Sequence, residues 1–247
     1  MEIGLDSFGI RSCVVAVLLS LSLLLMGCFQ PNAGITFSQK RQSTKTLEDH
    51  LFASDASLGN SAHRSIERYG DLIRRHAIEY ELDWRLVLAI IRQESSFRAT
   101  AVSHKGAYGL MQLMPVTQME LIEKLGVPEA QSPHFNIQAG MYHLRSLYRY
   151  FSDAKREDRL KLSLAAYNAG LGRILDAQEI ARYLGKDPNS WDTIRRTLPL
   201  LSKKYATLHE RVWRARNPRS GPFGSSQETI HYVASVTRYY EEYQRVL

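Results

Sequence analysis

Cysteine is nearly absent: Cys13 and Cys28 are the only two among 247 residues. A disulfide scaffold of the kind that staples small secreted domains is therefore excluded. The eight histidines fall at no zinc-ligand spacing, so no metal and no cofactor is expected. No alternating apolar–polar stretch of useful strand length occurs, and no internal repeat, which argues against sheets and solenoids. The longest apolar run, from Val14 to Met26, is short of the ~20 residues a membrane-spanning helix needs. Acidic residues are outnumbered, 25 against 32 basic ones, for a formal charge of +7. A surplus of that sign points to an anionic partner without choosing among nucleic acid, membrane and acidic polymer.

The apolar run supplies the choice. It follows Arg11 and ends at Gly27-Cys28, which fits the hydrophobic region of a secretory signal. Leu25-Met26-Gly27-Cys28 resembles a bacterial lipobox, in which Cys28 is acylated and becomes the new N-terminus. Residues 1–27 are then expected to be a lipoprotein signal peptide. A plain signal peptide or a short anchor is the alternative, since Glu2 and Asp6 are unusual in such a leader. Phe29 after Cys28 favours the outer membrane facing the periplasm, with the membrane met through the N-terminal lipid. Export leaves no role for nucleic acid and makes an acidic envelope polymer the expected partner.

Residues 28–60 are rich in Ser, Thr, Gln and Asn and read as a tether. Stretched out, it would reach roughly 100 Å. From His63 onward helical periodicity dominates, with Ile66, Tyr69, Leu72, Ile73, Ala77 and Tyr80 forming one stripe. Asp83 is a good N-cap for a helix starting at Trp84. Further helices are expected over 116–125, 137–152 (capped by Asn136), 159–169, 171–183, 190–198 and 226–245. Breaks are expected at Gly126-Val127-Pro128, Gly170, Gly185 and Pro199, and a loop over 211–224. The fold class is all-α, with one domain over 61–247.

Three blocks carry chemistry. On a helical wheel Trp84, Val87, Leu88, Ile90 and Ile91 share one arc, and Glu94 falls inside it. A carboxylate on an apolar face is desolvated, and in a last helical turn it meets the negative end of the dipole. Both effects favour the protonated form that a general acid requires. The bland alternative is an ion pair with Arg92 or Arg98. Downstream, Ser103 and the run Gly106 to Pro115 give a tight loop with an amide, Gln112, and two methionines, Met111 and Met114. The second block, Ala165-Ala166-Tyr167-Asn168-Ala169-Gly170, ends a helix with a hydroxyl and an amide. The third, Glu228-Thr229-Ile230-His231-Tyr232-Val233, opens the last helix, where the dipole alone explains Glu228.

Glu94-Ser95-Ser96-Phe97, Gly109 through Pro115, Ala165 through Gly170 and Glu228-Thr229 with Tyr232-Val233 stand in the order and spacing of a known family. The chain resembles the lytic transglycosylases of the soluble-type (SLT) catalytic family, with a lysozyme-like fold. From Leu82 onward it is most similar to the catalytic module of the membrane-bound F group. The resemblance implies a binding-protein-like domain ahead of that module, in whose place only the tether is expected here. The resemblance implies that Glu94 is the catalytic acid and later base, and that Ser103 hydrogen-bonds near it. It implies that Gln112 and Met114 line a saccharide groove, that Tyr167 and Asn168 face the carboxylate, and that Glu228 and Tyr232 flank the cleft. Ile230-His231 stands where many members have Arg-Asn, which weakens the transfer at Glu228. The implied substrate is the peptidoglycan glycan strand, cut with formation of a 1,6-anhydromuramyl end. A muramidase and a non-catalytic wall-binding protein are the alternatives.

Overall fold

A computed structural model of the chain describes residues 55–126 and 132–247. The expected signal peptide, Cys28 and most of the tether lie outside them. Among the described residues the regular elements are helical, apart from two isolated bridges that pair Tyr108 with Val102 and with Leu113. The order is α1 (Asp55–Glu79), α2 (Trp84–Ser95), α3 (Pro115–Leu125), α4 (Pro133–Tyr150), α5 (Arg156–Ala169), α6 (Leu171–Tyr183), α7 (Trp191–Thr197), α8 (Ala206–Trp213) and α9 (Ser226–Val246). Short 3-10 turns cover Leu198–Leu201 and Lys203–Tyr205. The all-α expectation holds.

The core is organised around α2. Asp83 caps it as expected, accepting the backbone N–H of Arg85 at 2.9 Å. From Leu86 through Ile91 every side chain is at most 5% exposed. The helix is apolar on all sides there, as a central helix must be, and not only along the one arc read from the sequence. α9 is its main partner, with α1 packed on it as well, while α5 bridges α9 to α4 and α6. Each fully buried Val, Leu or Ile contributes roughly 1.5–3 kcal/mol to holding this arrangement. The consequence for function is a rigid platform whose C-terminal end carries Glu94.

Four local expectations are corrected. α1 starts at Asp55, so the end of the segment read as tether is helical. α4 starts at Pro133, and Ser132 caps it by accepting the N–H of Phe135 at 3.1 Å. Pro at the first helical position needs no N–H there. Asn136, expected as the cap, lies inside α4, fully buried, because its side chain is taken by a distant loop. Pro199 does not break the chain but continues α7 into a 3-10 turn. Finally, α8 occupies the start of the stretch read as a loop. Its one buried side chain is His209, whose ring nitrogens face the carbonyl oxygens of Leu200 and Arg216. At eight residues the helix carries only a short apolar repeat, Leu208 with Val212 and Trp213, and it runs into the Pro- and Gly-containing stretch behind it.

Candidate active site

Glu94 sits in the last turn of α2, with Ser96 closing the helix in the left-handed conformation. It keeps one edge open to solvent, yet protein surrounds it closely enough that desolvation pushes its carboxyl from 4.5 up to about 7. The opposing influence is one hydrogen bond: the Tyr232 hydroxyl of α9 donates to Glu94 Oε1 at 2.7 Å. No cation pairs with Glu94 among the described residues. Arg92 instead meets Glu242 at 3.2 Å and lies 4.0 Å over the Tyr239 ring. Arg98 turns back, donating through Nε to the carbonyl of Ser95 at 3.1 Å. The structural ion pair that would make Glu94 ordinary is therefore not formed.

Two tyrosines accompany the carboxyl. Burial raises both phenols well above their usual range, and the charge of Glu94 adds to the shift in each. They consequently remain hydroxyl donors at any physiological pH. Tyr232 spends its proton on Glu94, whereas Tyr167 donates to the carbonyl of Met111 at 2.9 Å and so ties α5 to the loop.

The loop between α2 and α3 is pinned from within. Ser103 accepts the N–H of Ala107 through its hydroxyl at 3.0 Å, and its own N–H donates to the Ala107 carbonyl at 2.9 Å. Among the described residues no hydrogen bond joins it to Glu94; its hydroxyl and its N–H close the loop. Gln112, at φ 46°, donates both amide hydrogens inward, to the carbonyls of Ala101 and Gly109. Only its carbonyl oxygen is left for a ligand. Gly109 is required twice over: its φ is +85°, and a Cβ there would meet the Asn136 side chain at 2.5 Å. Met114, at the start of α3, is 43% exposed and presents apolar surface at the loop's end.

The remaining expected residues form one wall. Asn168 accepts a hydrogen bond from the Thr229 hydroxyl at 2.9 Å. Asn168, Glu228 and Thr229 line a cleft of about 270 Å³ together with Lys105, Arg173 and Phe223. Thr229 is three residues before Tyr232 on α9, so this cleft opens within one helical turn of the residue that hydrogen-bonds the acid. Among the described residues no group of three or more His, Cys, Asp or Glu is placed to hold a metal.

Residues 71–189 match the family model described as the Transglycosylase SLT domain. The membrane-bound lytic murein transglycosylase F of Desulfosudis oleivorans is 35% identical over 177 residues, 71% of this chain and 36% of the relative. The corresponding transglycosylase F 1 of Alkalilimnicola ehrlichii is 37% identical over 182 residues, 73% of this chain and 34% of the relative. This domain belongs to the SLT transglycosylase family. The chain spans about a third of the length of those curated relatives. Among solved structures, the inactive glutamate-to-glutamine mutant of lytic transglycosylase Slt from Pseudomonas aeruginosa aligns with a TM-score of 0.50 at 29% identity, over 74% of this chain and 25% of that one.

Sequence reasoning missed two residues around this site. Asn136 accepts the Met111 N–H at 2.8 Å and donates to the Tyr108 carbonyl at 2.9 Å, which locks the loop to α4. A polar side chain inside an apolar helical pattern was the available signal, but the same residue type also caps helices. Thr229 was visible only as a neighbour of Glu228. Its partner Asn168 is 61 residues away, a pairing no local pattern encodes.

Proposed function

We propose that this chain is a peptidoglycan lytic transglycosylase acting through a single carboxyl group. Glu94, protonated near neutral pH, gives its proton to the oxygen of the β-1,4 bond between N-acetylmuramic acid and N-acetylglucosamine. The muramyl N-acetyl group supports the cationic centre. Ionised Glu94 then takes the proton of the muramyl 6-hydroxyl, and that oxygen closes on the anomeric carbon to leave a 1,6-anhydro end. Tyr232 steadies the ionised state between the two transfers by its hydrogen bond. Gln112, Met114, Tyr167, Asn168 and Glu228 border the path of the strand.

The observation that carries this reading is a desolvated glutamate without a cation, its carboxyl raised to about 7. No acidic group among the described residues contributes to that shift. Two-carboxylate schemes need a second one about 5–10 Å away. A nucleophile supplied by the substrate itself suits a lone acid. Mass spectrometry of muropeptides released from purified sacculi is the test. The expected products carry anhydro ends, lighter by one water, and vanish with Glu94→Gln. Reducing ends throughout would mean a muramidase, and binding without soluble product a non-catalytic wall protein.

We further infer that residues 1–27 direct export, that Cys28 carries the lipid, and that the following segment holds the enzyme on the outer membrane facing the periplasm. The lipobox-like Leu25 to Cys28 supports this. No helix among the described residues is long and apolar enough to cross a membrane. Cys28→Ser should move the protein from the membrane to the soluble fraction on cell fractionation.

A further inference from the structure

A second cleft, of about 620 Å³, lies between α1 and the turn that follows the acid. α1 gives it Arg64, Glu67, Arg68 and Tyr69, and the turn gives it Phe97 and Arg98. Three arginines thus line it against one carboxylate. Arg64 and Arg68 are four residues apart and share a face of the helix. Exposed arginines on one helix ordinarily face only water. Here a third, from another element, lines the same cleft, its Nε already fixed by the Ser95 carbonyl. Among the described residues neither Arg64 nor Arg68 has a carboxylate partner, although Arg74 nearby on α1 pairs with Asp71.

The turn is strained where it forms the cleft. Ser96 and Phe97 have consecutive positive φ values of 50° and 64°, a conformation that is strained outside glycine. The left-handed Ser96 closes α2, but the helix needs no second such residue. With Phe97 left-handed too, the turn carries Phe97 and Arg98 to the cleft that Tyr69 also lines. The cleft begins two residues from Glu94, within ~7 Å of chain. Its α1 wall, residues 64–69, precedes the family match, which starts at residue 71.

We propose that this cleft receives the ionised carboxyl groups of the peptides borne by the glycan strand. The inference rests on the peptidoglycan reading above. An extended strand seated on Glu94 places its substituents beside the groove, and planar guanidinium forks match carboxylates in two-point contacts. The aromatic walls suit the apolar parts of short peptides. The chain therefore distinguishes peptide-bearing from bare strands at α1.

The test uses the Glu94→Gln protein, which binds without turnover, and two soluble probes: glycan strands with tetrapeptide stems, and the same strands freed of stems by an amidase. Tighter binding to the stem-bearing strand is expected, by about tenfold, weakening as salt rises. Arg64→Ala with Arg68→Ala should abolish that preference while leaving the bare strand's affinity unchanged. Arg64→Lys with Arg68→Lys should restore part of it. Equal affinity for the two strands, no binding to either, or an equal loss on both in the double variant would overturn the proposal. Turnover is read separately, in the protein that keeps Glu94. Anhydro products without a stem preference would sink the cleft and spare the enzyme; a stem preference without products would do the reverse.

Discussion

The two ends of α2 each hold a carboxylate, and each receives a tyrosine hydroxyl from α9. Tyr240 donates to Asp83 at 2.9 Å, and Tyr232 donates to Glu94 at 2.7 Å. The two carboxyls nevertheless move in opposite directions. Burial raises both. At Asp83 that is outweighed by the Arg85 side chain and backbone N–H and by Tyr240, so the carboxyl lies below its usual range. At Glu94 only the tyrosine opposes burial, and the carboxyl rises to about 7. The helix dipole works in the same sense, positive beside Asp83 and negative beside Glu94. One helix pair therefore makes a structural anion at one end and a proton donor at the other. The cation decides which is which.

Exchanging the acid should have the largest effect. Glu94→Gln is expected to lower turnover of sacculi by roughly 10²–10⁴-fold, the usual contribution of a general acid. It should also stabilise the fold. A carboxyl raised from 4.5 to about 7 binds its proton more tightly in the native state, so stability falls as pH rises between those values. Above pH 7 the cost is on the order of 3 kcal/mol. Denaturant melts should show the Gln variant more stable at pH 8 and matched to the parent at pH 4. Loss of activity with no gain in stability at pH 8 would break the comparison.

At the other end, Asp83→Ala should cost about 2–3 kcal/mol at pH 7, through the lost cap and the lost charged hydrogen bonds. The sign is opposite: Asp83's carboxyl is depressed, so its contribution is present above the unfolded value of 3.8 and disappears as pH falls through the lower folded one. Activity should change by no more than a few-fold. Tyr232→Phe removes the hydrogen bond that holds Glu94 down, so the alkaline limb of kcat/KM against pH should move above about 7. Tyr240→Phe should have the smallest effect, about 1 kcal/mol in stability, with the pH–rate profile unmoved.

Much of this was legible from local pattern. The cap at Asp83, the span of α6 and the helix end at Gly170 all lie where short-range chemistry places them. The placement of Glu94 on an apolar helix was legible too, although the helix proved buried on every side. What stayed hidden depends on partners far along the chain. The Tyr232–Glu94 bond joins residues 138 apart, and Asn136 looked like a cap because its true partners lie 25 and 28 residues upstream. Gln112 and Ser103 were legible as polar loop residues, but not that the Gln112 amide hydrogens and the Ser103 hydroxyl hold the loop's own backbone. α8 was missed because its apolar repeat is short and runs into a Pro- and Gly-containing stretch, while the histidine between two carbonyls that helps to secure it gives no periodic signal.

The most direct measurement is an NMR titration of the Glu94 side-chain carboxyl in the folded domain, with Asp83 followed in the same sample. The account predicts a midpoint of about 7 for Glu94 and one below 3.8 for Asp83. A Glu94 midpoint at the ordinary 4.5 would contradict it.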